Sequence, residues 1–537
     1  MKSAILLLAA ILISLAAPPA KAQDADLRGL VSGFAEAKNF KAVAAIVDDL
    51  AATGDPAVTT VLEALGAGDL HYRKADRAVF IVRDEDGTPT LIDPLTGEAT
   101  GEAVMGQLEK IRVNNSLRRA IRDAMARLTI FAADPASRHD AARNMLGSPD
   151  PANIALLDEA IAAEADDNVR QTFAEARAAA VLLSEASIED KRAAVATIGA
   201  RGDREALAML SAFQTRVSDD LKPAVAEQIA LTEQTLAWWG AAQNVWYGLS
   251  LGSVLLLAAI GLAITFGVMG VINMAHGEMV MLGAYTTFAV QSVIHAHAPW
   301  LLDGSLLVAL PLAFTVAGGV GIAIERGVIR HLYGRPLETL LATWGISLIL
   351  QQAVRTIFGA QNRQVDTPSW MSGGFEVGQM AITYNRLWIA VFALAVFAVL
   401  LVALNRSRFG LQMRAVTQNR QMAKSMGIRT PRVDALTFGL GSGIAGIAGV
   451  ALSQIDNVSP NLGQGYLIDS FMVVVFGGVG SLWGTLVGAM SLGILNKFLE
   501  PYAGAVLGKI LVLVLIILFI QKRPRGLFAL KGRAAEA

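Results

Sequence analysis

The chain has no cysteine in 537 residues, which excludes a disulfide framework, a thiolate nucleophile and a Cys-ligated zinc site. Histidine is scarce as well. His71 and His139 stand alone in polar stretches, where a solvated side chain is expected rather than a metal ligand. Only 17% of residues are charged, below the share of about 25% usual in soluble domains. With 54% hydrophobic residues the chain is also too long for one ordinary core, so part of it belongs in lipid. The net charge of −1 conceals a division: residues 1–236 hold 35 acidic and 25 basic side chains, and residues 237–537 hold 11 and 20.

The first half opens with an exported leader. Lys2 precedes an apolar run from Ala4 to Leu15, and Ala20-Lys21-Ala22 supplies a small-residue cleavage site, so residues 1–22 read as a signal peptide. The run is shorter than the roughly 20 residues that span a bilayer. Residues 23–236 then read as an extracytoplasmic helical domain, with apolar residues at helical spacing as in Val43, Ile46, Val47 and Leu50. Gly54-Asp55-Pro56, Ala133-Asp134-Pro135 and Pro149-Asp150-Pro151 carry N-cap chemistry between helices. The similar stretches after Asp55, Asp150 and Asp203 predict degenerate stacked helix pairs of the HEAT kind. Ala78–Arg83 and Thr88–Asp93, on either side of Asp86-Gly87, read as a small β-hairpin inserted among the helices.

The second half holds little but long apolar segments. After Trp238-Trp239 and Trp246-Tyr247, which suit an interfacial belt, nine follow at 245–269, 274–294, 305–324, 337–358, 387–404, 435–452, 467–480, 481–499 and 506–521. The seventh is short for a span. Of the 20 basic residues here, 15 fall in three connections, Arg326–Arg335, Arg406–Arg432 and Lys522–Arg533, which are cytoplasmic by the positive-inside rule. All three lie on one side, opposite an exported N-terminus, if each of the nine segments crosses once. The fold expected is therefore all-α: a polytopic membrane domain of about nine spans at 237–530 and a cytoplasmic tail at 531–537. Two nucleotide-binding look-alikes fail on context. Gly441-Ser442-Gly443-Ile444-Ala445-Gly446 lies inside an apolar helix, where it serves packing, and Gly504–Lys509 lacks the spacing and the Ser/Thr of a P-loop. No span offers a Ser/His, paired Asp or HExxH arrangement, so an enzyme is not expected.

The longest cytoplasmic connection runs from Arg408 to Ile428 and can form a short amphipathic helix, with a turn at Gly427 and a return to the membrane after Pro431. Its length and its Ala423-x-x-x-Gly427 core resemble the coupling loop of ABC importer permeases. Gly270-Val271-Ile272-Asn273-Met274-Ala275-His276-Gly277-Glu278 resembles the early signature of the branched-chain amino acid permease family, as do Phe476–Ser481 and Arg523-Pro524-Arg525-Gly526-Leu527. Gln421-Met422-Ala423 stands where that loop's Glu-Ala-Ala would be. Within the family, the exported domain and Lys110–Arg119 are similar to the urea permease branch of the UrtB type. The resemblance implies ATP-driven import of a small-molecule solute, urea first and branched-chain amino acids second, through the inner membrane by alternating access. The partners it implies are a second, LivM-like permease, two cytoplasmic ABC ATPases and a periplasmic solute-binding protein, with no cofactor on this chain, no nucleic acid, and ATP used by the partner subunits. Gly410, Arg414, Ala415, Ala423 and Gly427 become candidates for ATPase coupling.

Polar groups in spans are costly and are often functional where they face a path. Asn273, His276, Glu278, Gln351, Gln352 and Asp469 are the candidates for the solute path. Gln351 and Gln352 are adjacent on a helix, so at most one of them faces it. A receptor or scaffold and a passive channel are the rival classes.

Overall fold

The computed structural model describes residues 20–55, 57–85 and 88–528. Apart from Ala20–Ala22, the expected signal peptide lies outside these residues, as do the Asp86-Gly87 turn and the tail at 531–537. The chain divides into two compact units between Leu236 and Ala237.

The first unit is mainly helical: α1 (Ala20–Gly33), α2 (Phe40–Ala52), α3 (Ala57–Ala67), α4 (Asn115–Thr129), α5 (Pro135–Gly147), α6 (Ile154–Ala163), α7 (Asp167–Leu183), α8 (Ile188–Arg201) and α9 (Arg204–Gln214). The helices start where side-chain oxygens meet unpaired backbone N–H groups. Asp134 accepts from Ser137 N–H at 3.0 Å with Pro135 in the first turn, Asp203 from Ala206 N–H at 2.7 Å, and Asn114 from Leu117 N–H at 2.8 Å. Their apolar stripes close two cores, one around Val47, Leu62, Ile81 and Ile121 and another around Phe173, Ile198, Leu210 and Val225.

The expected hairpin is present but is part of something larger. β2 (Val79–Glu85) pairs with β3 (Thr88–Ile92), setting Ile81 against Ile92 and Val82 against Leu91. With β1 (Leu70–Arg73), β4 (Ala99–Glu102) and β5 (Leu108–Lys110) it forms a five-stranded antiparallel sheet in the order β4-β3-β2-β1-β5. The all-α expectation is corrected accordingly. The three added strands have four residues or fewer, and β4 is exposed throughout, so neither length nor alternation marked them. His71 is corrected too: it is buried on β1 at 8% exposure, with Nδ1 3.0 Å from the Asp69 carbonyl oxygen.

The second unit begins within α10 (Lys222–Met269) and continues through α11 (His276–His297), α12 (Ser305–Gly327) and α13 (Pro336–Phe358). The hairpin β6 (Gly374–Val377) and β7 (Met380–Thr383), which the sequence did not announce, precedes α14 (Tyr384–Arg406). It is anchored by the aromatic stretch of α10, where Gln243 exchanges hydrogen bonds of 3.1 and 2.9 Å with the Ala381 backbone. Then come α15 (Arg408–Gln418), α16 (Arg420–Ser425), α17 (Thr430–Leu452), α18 (Leu462–Gly477) and α19 (Leu482–Lys522). Among the described residues seven helices are long and apolar enough to cross a membrane, and α18, with 16 residues, is a shorter apolar helix. The 41 residues of α19 break at Gly504, whose φ of 75° leaves the helical region. The second limb folds back: the ring of Phe519 near its end packs at a tilt with its centre 4.9 Å from that of Phe476, beside the start of the first limb. The segments expected at 467–480, 481–499 and 506–521 correspond to α18 and the two limbs of α19.

Glycine sets the packing of this unit. α17 lays Gly439, Gly443 and Gly446 against α12 and Gly449 against α11, so the Gly441–Gly446 run lies in a helix and packs, as its context indicated. One layout occurs twice. α10 leads through non-helical 270–275 into α11, α12 and α13; α17 leads through non-helical 453–461 into α18 and the two limbs of α19. The two entering helices meet at Gly277 and Gly463, where a methyl group on either would collide with the carbonyl of the other.

In the first unit, Glu164 accepts hydrogen bonds from Arg138 at 2.6 and 2.8 Å and from the N–H groups of Ala165 and Asp166. The Arg138 hydrogen bonds hold its carboxyl at about 2, against burial that would raise it. A carboxyl whose folded value is depressed stabilises the fold above its unfolded value, near 4.5, and that contribution is lost as pH falls toward 2. Hydrogen exchange at Ala165 and Asp166 in the intact chain should accelerate between pH 5 and pH 3 beyond the intrinsic trend. Glu164→Gln should remove that acceleration and destabilise the unit by about 3 kcal/mol.

Candidate functional site

α13 reverses the pattern of a soluble helix. Thr339, Thr343, Ser347 and Gln351 recur every fourth residue and are buried, while Leu337, Leu341, Trp344 and Ile349 point outward with exposures of 50–83%. Lipid accepts the apolar face, and the polar stripe must find partners inside the protein. It finds them on the segment that starts α11. Thr343 Oγ1 accepts from Met274 N–H at 3.1 Å. Ser347 Oγ and Gln351 Nε2 donate to Glu278 Oε1 at 2.9 and 2.7 Å. Asn273 Oδ1 accepts from Ala275 N–H at 3.0 Å and closes the turn, and His276 Nε2 lies 2.8 Å from the Ala258 carbonyl oxygen of α10. Asn273 Nδ2, His276 Nδ1 and Glu278 Oε2 are buried with no protein partner, which leaves hydrogen-bonding capacity at the centre of the unit.

The structure thus brings Gln351 to Glu278, while Asn273 closes the turn before them and His276 faces α10. Gln352 does not join them; it is exposed on the other side of α13. Asp469 belongs to a separate pair, accepting from Lys509 Nζ at 2.8 Å between α18 and the second limb of α19. Thr343 and Ser347 were missed. Their signal is the four-residue spacing from Thr339 to Arg355, which a search for single polar residues in spans passes over.

The basic connection forms two helices rather than the single one expected. Asn419 ends α15 and, by accepting from Met422 N–H at 2.9 Å, caps α16. α16 then closes in a Schellman turn: Gly427 N–H donates to the Lys424 carbonyl and Ile428 N–H to the Ala423 carbonyl, each at 3.1 Å. That turn requires the left-handed φ of 87° at Gly427 and a small buried residue at Ala423, which accounts for the spacing of the pair. Arg414 Nη1 donates to the Leu404 carbonyl at 2.5 Å, and a methyl group on Gly410 would collide with the same carbonyl, so both fix the corner between α14 and α15. Ala415 is half-buried in α15 and accepts from Asn419 N–H at 3.1 Å.

One cluster here was not foreseen. Arg420 of α16 pairs with Asp434 of α17, which is fully buried, and its guanidinium lies 4.8 Å from the ring centre of Tyr333. Tyr333 in turn donates to Glu325 of α12 at 3.1 Å. Four residues from four stretches of chain thereby tie the longest basic connection to the two most closely packed helices. Their separation in sequence, from 325 to 434, hid them. Among the described residues no group of three or more His, Asp or Glu could hold a metal ion.

The family model described as "Branched-chain amino acid transport system / permease component" matches residues 244–520. The high-affinity branched-chain amino acid transport system permease protein LivH of Escherichia coli (strain K12) is 34% identical over 297 residues, covering 53% of this chain and 94% of that one. The corresponding BraD protein of Pseudomonas aeruginosa is 30% identical over 292 residues, with the same coverage. The fructose import permease protein FrcC of Rhizobium meliloti is 28% identical over 246 residues, covering 43% of this chain and 67% of that one. No solved structure shows significant similarity.

Removing Arg420 strands a buried carboxylate. Arg420→Ala should lower the unfolding free energy of the purified protein by about 2 kcal/mol, and adding Asp434→Asn should recover most of the loss. Equal stability of the single and double variants would show that the pair carries no such strain.

Proposed function

The chain belongs to the branched-chain amino acid transport permease family, and we propose that it is the membrane subunit of an ATP-driven importer of urea. It is a transport subunit and not an enzyme. What supports the solute is the extra unit: the relatives are covered almost end to end by the second half of this chain, and some 240 residues precede the match at 244. Lys110–Arg119 contributes less, because Asn114 caps α4 and would be needed for folding whatever the solute. The seam of Thr, Ser and Gln side chains suits a neutral amide with several donors and one carbonyl acceptor. A branched-chain amino acid is the second solute, favoured by the names of the LivH and BraD relatives.

On this proposal the nine segments each cross the membrane, the first unit is exported behind a cleaved signal peptide as HEAT-like helix pairs, and the basic connections face the cytoplasm. The assembly comprises a second LivM-like permease, two ABC ATPases and a periplasmic solute-binding protein, the binding protein delivering solute to the outer face. Closure of the ATPases presses on α15 and α16. The corner at Gly410 and Arg414, the Schellman turn and the Arg420–Asp434 pair pass that displacement to α12 and α17. Access to Asn273, His276, Glu278 and Gln351 then changes from outside to inside. No covalent chemistry is needed.

Uptake of labelled urea and labelled leucine at micromolar concentration, in cells with and without the gene, tests the proposal. Urea uptake should be lost and leucine uptake retained. Loss of leucine uptake alone rejects urea, and ATP-independent flux rejects the importer in favour of a channel.

A further inference from the structure

We infer that solute is bound where α13 meets α18, by Gln352 and Arg355 of one helix and Asn461 and Gln464 at the start of the other. The inference rests on the importer reading and gives that importer a site which the buried seam alone does not. It begins from an anomaly of surface composition. The outer faces of the spans are apolar, as lipid requires: Ile349 and Ile357 of α13 are 68% and 72% exposed, and Val399 and Val402 of α14 are 69% and 61% exposed. Yet Gln352 and Thr356 are exposed on α13, and Arg355 beside them is half-exposed. On α18 the counterpart is Gln464, exposed together with Asn461 just before the helix. Amides and a guanidinium facing hydrocarbon would be costly, so this strip faces water or solute.

Two observations join the residues into one site. Arg355 Nη2 donates to Asn461 Oδ1 at 2.7 Å, which links the helices at that point. Gln352 stands three residues before Arg355 and Gln464 three after Asn461, so each extends the contact along its own helix. The depth follows from the backbone. Gly463 lies against Gly277, the second residue of α11, and Gln351 reaches Glu278 next to it. The first turn of α18 is therefore level with the buried seam and is approached through the non-helical residues 453–461. Non-helical backbone at such depth occurs where it is enclosed by protein or lines a watery cavity, and transporter sites are built at such interrupted helices.

The chemistry fits a planar amide. Arg355 keeps N–H donors beyond the one given to Asn461, and these suit a carbonyl oxygen. The side-chain carbonyls of Gln352 and Gln464 suit the two NH₂ groups of urea. A carboxylate would also satisfy Arg355, so both solutes enter the test. The strip is open to the side of this chain.

The absence of cysteine makes the test direct, since an introduced thiol is unique in this chain and labelling is read on this chain alone. Gln352→Cys, Gln464→Cys and, as a lipid-facing control on α14, Val399→Cys are prepared in the assembled importer in liposomes. They are then exposed on both sides to a charged, water-soluble methanethiosulfonate. Both glutamine positions should react and the control should not, and saturating urea should slow the reaction at both by about tenfold, as expected if solute fills the site most of the time. If one variant fails to assemble, the other reads the same site. Protection by leucine and not by urea supports the site while overturning urea as the solute. No reaction at either position, or a rate that neither solute changes, overturns the site.

Discussion

A carboxyl group held at 1% exposure inside an apolar bundle is the constraint around which the membrane unit is arranged. No water is at hand in the hydrocarbon region, so Glu278 needs donors from the protein, and α13 brings them in Ser347 and Gln351. That requirement fixes the rotation of α13. Its polar stripe turns inward and its leucines turn outward, although its helical contact with the rest of the unit is narrow. The same stripe meets the non-helical backbone before α11, where Thr343 takes the Met274 N–H. A helix that begins inside the bundle and a span that is polar within are thus two aspects of one solution.

Close packing of glycines provides the complement. Since lipid is as apolar as the helices, their association depends on contact at short range, and backbones come near each other only where side chains are absent. Gly277 against Gly463 holds the two interrupted entries together, and the glycines of α17 bring α10, α11 and α12 onto one helix. The repeated layout gives a polar pair between corresponding helices of each copy, Glu278 with Gln351 and, deeper along its helix, Asp469 with Lys509. At the end carrying the basic connections, Arg420 and Asp434 join the short helices to this packed core.

Much of this was legible in sequence because lipid imposes strong patterns. The apolar segments, the basic connections and the packing role of the glycine runs needed only composition and spacing. Asp134, Asp150 and Asp203 announced helix starts through local hydrogen bonds, which depend on neighbours in sequence. What escaped was set by contacts at long range. β1, β4 and β5 are too short to show alternation and exist because β2 offers an edge to β1, β3 to β4 and β1 in turn to β5. The cluster of Glu325, Tyr333, Arg420 and Asp434 looks like scattered residues of basic loops until the chain is folded. Gln351 and Gln352 were separable in principle, as neighbours on a helix point apart, but which one turned inward depended on the position of Glu278.

We propose that the Glu278–Gln351 contact organises the membrane unit for transport. It is tested most directly by a double-mutant cycle in ATP-driven solute uptake, using Glu278→Ala, Gln351→Ala and both together. If the two side chains act as one unit, each single change should impair uptake strongly and the double variant should be little worse than the poorer single one. The interaction energy should then be on the order of 1 kcal/mol or more. Independent, multiplying losses would show that the two residues contribute separately and would contradict the account.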